Sequence, residues 1–164
     1  MKTELINNDI IFDAKAVAVP FNYRISYKVS LICLIIGKCC GKKGCSAIKL
    51  QMINAAIQSA AGRKELLNVI TKHCIDETAL IRFDPAISRA INFALTDKLI
   101  YQQGNGLFRL AENGKRLLEL IYKDLTLMTI EKAYFDEITS RLTEEMIEEI
   151  SQSWRITDAK NQSN

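Results

Sequence analysis

"LIYQQGNGLFRLAENGKRLLELI", residues 99–121, changes period halfway through. Its first half reads as two short extended runs on either side of Gly104-Asn105-Gly106, and Asn105-Gly106 favours a tight reversal because both residues tolerate positive φ. Its second half opens at Glu112-Asn113-Gly114 and becomes helical through residue 123, with Leu117, Leu118, Leu120 and Ile121 offered to a core. A hairpin feeding directly into a helix is therefore expected here. Its tip carries Gln102, Gln103 and Asn105 but no lysine, which raises the question of what such a hairpin would touch.

The preceding segment, "RFDPAISRAINFALTDKLI", explains how the chain enters the hairpin. Asp84 suits an N-cap, and Pro85 suits the first helical position, where its missing N–H would be unpaired anyway. Ile87, Ala90, Ile91, Ala94 and Leu95 form one apolar stripe, leaving Ser88, Arg89, Asn92 and Thr96 pointing away. A helix followed by a hairpin and another helix is the outline of a winged helix. The expected fold is accordingly mostly α with a small β-hairpin: a winged-helix domain over residues 21–125 with extra N-terminal helices.

Residues 1–20 read as an irregular arm, with a short strand at 16–19 closed by Pro20. In residues 24–36, Ile25, Val29, Ile32 and Ile36 share a face that Leu31, Leu34 and Ile35 widen until little is left for water, so this should be the central helix. "GKCCGKKGCS" then interrupts with three glycines in eight residues, and Ser46 can cap a helix over 47–60. In that helix Lys49 and Gln51 are expected to face outward. It should stop at Ala61-Gly62 and be followed by a short helix over 63–72, with His73 at its end.

Residues 126–155 are expected to form a C-terminal helical extension. Ile130, Tyr134, Ile138, Leu142, Met146 and Ile150 recur every four residues, and each such step rotates the stripe by about 40°. One straight helix cannot keep that stripe on one surface. Either the helix bends near Thr143, which could cap a second segment starting at Glu144-Glu145, or its two halves meet different neighbours. Residues 156–164 read as a disordered tail.

The formal charge of +3 is too small to announce a nucleic-acid binder, but it is unevenly distributed. Residues 21–75 carry Arg24, Lys28, Lys38, Lys42, Lys43, Lys49, Arg63, Lys64 and Lys72 against Glu65 alone, whereas residues 131–150 are acidic. Lys42, Lys43, Lys49, Arg63, Lys64 and Arg89 are the candidates for non-specific duplex contact, with solubility as the plain alternative. The hairpin and its helix offer few cations for phosphate, so the wing is expected to pack on a protein instead. Met146, Ile150, Trp154, Tyr101 and Phe108 are the candidate partner anchors, since large apolar and aromatic residues dominate interfaces.

Catalytic signatures are scarce. The glycine spacing in "GKCCGKKGCS" is wrong for a phosphate loop, and the single histidine leaves few nucleophile–base pairs. Cys39, Cys40 and Cys45 with His73 and Cys74 could be drawn as a zinc site, but adjacent cysteines rarely aim at one tetrahedral centre, and a reduced, packed loop is the simpler reading. Glu144, Glu145, Glu148 and Glu149 read as a solvated face. The chain is thus expected to be no enzyme, to need no cofactor or metal and to take no small-molecule substrate. The longest apolar run, residues 29–36, falls short of the roughly 20 residues of a membrane span, and the N-terminus lacks the pattern of a secretory signal, so the expected location is the cytoplasm.

The succession "FNYRISYKVSLICLI", "SAIKLQMINAAIQSA", "GRKELLNVI", "IRFDPAISRAINFALTDKLI" and "FRLAENGKRLLELI" resembles the small middle component of three-component ABC-ATPase defence systems, of which Lamassu-type operons are the best known. The resemblance runs over residues 21–150. It implies a non-catalytic accessory subunit that bridges or restrains a large SMC-like ABC ATPase and an effector nuclease directed at phage or plasmid DNA. Ala111 departs from the capping Thr or Ser that often precedes the last helix of a winged helix, and the cysteine-rich loop has no counterpart. The other reading is a homodimeric winged-helix transcription regulator, with residues 128–154 as its dimer helix.

Overall fold

The computed structural model describes residues 20–72 and 83–161, the side chains of 140 and 154–161 excepted. The expected strand at 16–19, His73, Cys74, the side chain of Trp154 and residues 162–164 lie outside the described residues. What is described is mostly helical with one small antiparallel sheet.

A 3-10 turn at Phe21–Tyr23 leads into α1 (Ile25–Cys39), followed by α2 (Ala47–Ile57), α3 (Ala60–Lys72), α4 (Pro85–Thr96), β1 (Ile100–Gln102), β2 (Phe108–Leu110), α5 (Glu112–Lys123), α6 (Thr129–Ile138) and α7 (Glu144–Asn161). Helix α1 is the axis. Leu31, Ile32, Cys33, Leu34 and Ile35 are all fully buried, which is the burial that an all-round apolar helix demands. Helices α4, α5 and α6 pack on it, and α3 and α7 pack on α2.

The local signals hold where they are local. The Ser46 hydroxyl accepts from Lys49 N at 3.1 Å, and the Asp84 carboxylate accepts from Ala86 N at 2.9 Å, each capping its helix. The stripe Ile87, Ala90, Ile91 and Ala94 is buried. Strands β1 and β2 pair Ile100 with Leu110, Tyr101 with Arg109 and Gln102 with Phe108. Their turn is a three-residue loop in which Gly106 takes φ +83°, a conformation suited to glycine, while Asn105 is not at positive φ and accepts from Leu107 N at 3.1 Å. Gly114, in the first turn of α5, lies against Leu99 O, where a Cβ would overlap the carbonyl.

Two boundaries differ from expectation. Helix α2 ends at Ile57 rather than near Gly62, because the Ser59 hydroxyl accepts from Gly62 N at 3.0 Å and starts α3 early. Helix α7 runs to Asn161, through most of the segment expected to be a disordered tail. The expected bend near Thr143 is a full break. Helix α6 stops at Ile138, and the Thr143 hydroxyl accepts from Met146 N at 3.2 Å to begin the next helix. Residues 126–150 do not stand apart, since Tyr134, Phe135, Ile138, Leu142, Ile147 and Ile150 belong to the same core as α1.

The largest departure is polar. Lys28 is only 2% exposed, and its ammonium donates to Asn54 Oδ1 at 2.6 Å and Asp84 Oδ2 at 2.8 Å. Asn54 Nδ2 donates to the same carboxylate oxygen at 3.1 Å. Gln51, expected to face outward, is buried and clasps the Asp84 backbone, accepting from its N–H at 2.9 Å and donating to its carbonyl at 3.1 Å. Three helices thus meet at one residue. Burial raises the Asp84 carboxyl, but the hydrogen bonds from Lys28, Ala86 N–H and Asn54 outweigh it and hold the group below its ordinary range.

Asp84→Asn strands the buried ammonium beside a neutral amide and should lower stability by about 2–4 kcal/mol, more than Lys28→Met, which leaves a carboxylate that can turn toward water. Because the folded pKa is depressed, the contribution of Asp84 is present above its unfolded value of about 3.9 and is lost as pH falls through the folded pKa. Urea titrations between about pH 6 and about pH 2.5 should therefore show a steeper acid loss in the parent than in Asp84→Asn.

Candidate functional site

The candidate residues fall on three separate surfaces. The first is the outer face of α4 with the hairpin. Arg89, Asn92, Phe93, Thr96 and Asp97 line a shallow cleft of about 280 Å³. Phe93 stands 53% exposed in its wall, and the Thr96 hydroxyl folds back to donate to Asn92 O at 2.9 Å. The hairpin's glutamines serve the fold itself. Gln102 Nε2 donates to Gly106 O at 3.1 Å across the turn, and Gln103 Nε2 donates to Lys43 O at 2.8 Å, tying the hairpin to the cysteine-rich loop. Tyr101 is exposed, as a partner anchor must be. Phe108 is not, because it faces the core and its backbone exchanges hydrogen bonds with Cys45 at 2.9 and 2.8 Å.

The second surface is the cysteine-rich loop. Lys42 and Lys43 are exposed. Lys49, read as a solvent-facing DNA contact, is 3% exposed: its ammonium donates to Cys39 O at 2.8 Å and Leu142 O at 2.5 Å, joining the end of α1 to the break before α7. Lys42 and Lys43 share a cleft of about 180 Å³ with Glu144 and Glu145, and Glu144 accepts from Ser46 N at 3.2 Å. This face is mixed in charge rather than basic.

The third lies along α6. Arg63 and Lys64 border a cleft of about 460 Å³ with Leu67, Ile130, Ala133 and Glu137, and Arg63 also donates to Ile57 O at 3.2 Å. The six expected DNA contacts are therefore divided: Lys42 with Lys43, Arg63 with Lys64, Arg89 alone on α4, and Lys49 inside.

The partner anchors on α7 are corrected too. Ile150 is buried in the core and Met146 is packed against it, because the break at residues 139–143 turns the end of the stripe inward. Besides Tyr101, the exposed large apolar residues among those described are others: Phe21, Tyr23, Ile25, Ile48, Phe83, Phe93, Leu120, Leu125, Leu127 and Ile130. Leu120 was read as core. The signal that could have found this surface is "DLTLMTI", where Leu125 and Leu127 alternate with threonine between two helices.

Cys33, Cys39, Cys40 and Cys45 are free and buried. Burial pushes the thiols of Cys33 and Cys39 up to about 12, and that of Cys45 well above its ordinary value. Buried in this way, the thiols pack as small apolar groups. Among the described residues no group of three or more His, Cys, Asp or Glu side chains is arranged to hold a metal ion. No helix among them is long and apolar enough to cross a membrane.

No protein-family model matches this chain, and no curated protein and no solved structure matches it significantly.

The two kinds of lysine in the loop region separate by mutation. Lys49→Glu places a carboxylate against two carbonyl oxygens and should cost about 3–5 kcal/mol, whereas Lys42→Glu and Lys43→Glu should each stay within about 0.5 kcal/mol of the parent. Chemical denaturation of the three variants checks this ordering.

Proposed function

We propose that this chain is the non-catalytic accessory subunit of a multicomponent bacterial defence complex, bridging an SMC-like ABC ATPase and an effector nuclease through a winged-helix docking surface. Three features support the winged-helix reading. The order α1, Cys45, α2, α4, β1, β2 follows the helix, strand, helix, helix, hairpin order of such domains, with α3 as an addition. Cys45 bridges Phe108 of β2, as a short first strand would. On that reading, α4, the helix directly before the hairpin, corresponds to the helix that enters a DNA groove in such domains. The resemblance of residues 21–150 to the small middle component of Lamassu-type systems supplies the kind of assembly.

The observation that carries the docking reading is the outer face of α4. At its centre is Phe93, with Arg89 on one side and Asp97 on the other. Duplex affinity rests on neutralising several phosphates, and this face offers Arg89, Lys98 and the half-buried Arg109, with Asp97 among them. An exposed aromatic ring suits a protein pocket. The regulator reading has less support, since the helices assigned to its dimer contact spend Tyr134, Phe135, Ile138, Leu142, Ile147 and Ile150 on the chain's own core.

Co-expression with such an ATPase and nuclease should yield one co-eluting complex. Phe93→Glu should weaken that assembly about 10-fold or more at unchanged melting temperature. The isolated chain should bind short duplexes without sequence preference, and its log affinity should fall with log salt at a slope of only about −1 to −3. Tight, salt-resistant binding of one duplex site by the isolated chain would overturn the proposal in favour of a regulator.

A further inference from the structure

We draw no further inference here: the strongest candidate, the apolar cleft of about 540 Å³ between the start of α1 and the start of α6, lined in part by Phe21, Tyr27, Leu127 and Ile130, is an unpartnered face, and nothing in the structure shows what covers it.

Discussion

Helix α4 is held in place by the carboxylate of Asp84. One oxygen caps the helix at Ala86 N, and the other takes the buried ammonium of Lys28 from α1 and the amide of Asn54 from α2. Gln51 secures the same residue's backbone. The hydrophobic core alone would leave α4 free to slide or rotate by a fraction of a turn, because apolar burial is nondirectional. A charge taken out of water tolerates no such slack, since losing one partner leaves an uncompensated ion. The direction in which Arg89 and Phe93 face is thus set from the opposite side of the helix.

A second buried lysine solves the same problem differently. Lys49 has no carboxylate in its hydrogen bonds; it faces the carbonyl of Cys39, at the end of α1, and that of Leu142. Helix ends leave carbonyls unpaired, and a cation there offsets both the missing hydrogen bonds and the negative end of the helix dipole. Residue 142 lies in the break between α6 and α7, so Lys49 also ties that break to the central helix. The glycine- and lysine-rich loop between α1 and α2 is organised around this internal contact and around Gln103 reaching Lys43 O.

Much of the fold was legible because its signals are local. A cap, a proline at the first helical position, a stripe at helical spacing and an Asn-Gly turn each depend on a few neighbouring residues, and Thr143 betrayed its break through the drift of the stripe around it. Helix α2 was not legible in the same way. Nearly every position from Lys49 to Ile57 is buried because α1, α3, α4 and α7 surround it, so it has no polar side for periodicity to find. Residue type then misleads: Lys49 and Gln51 read as solvent-facing, and only tertiary partners show otherwise. The reverse error placed Leu120 in the core, where the pattern allowed it and the packing left it 62% exposed. The candidate site suffered from both errors, gaining Lys49 and Ile150 and missing Phe93, Leu127 and Ile130.

These displacements change how charge bears on the function. Of the nine basic residues in 21–75, Lys28 and Lys49 are internal, and Lys38 is paired with Asp136 at 3.0 Å while lying over the Tyr122 ring. Lys42 and Lys43 share their cleft with glutamates. Arg63 and Lys64 border a cleft that also holds Leu67, Ile130 and Glu137. A phosphate backbone is recognised by a run of cations spaced along a strand, with no need of leucine or isoleucine between them. The charge imbalance in the sequence is therefore dispersed once folded, part of it drawn into the interior and the rest divided among separate faces.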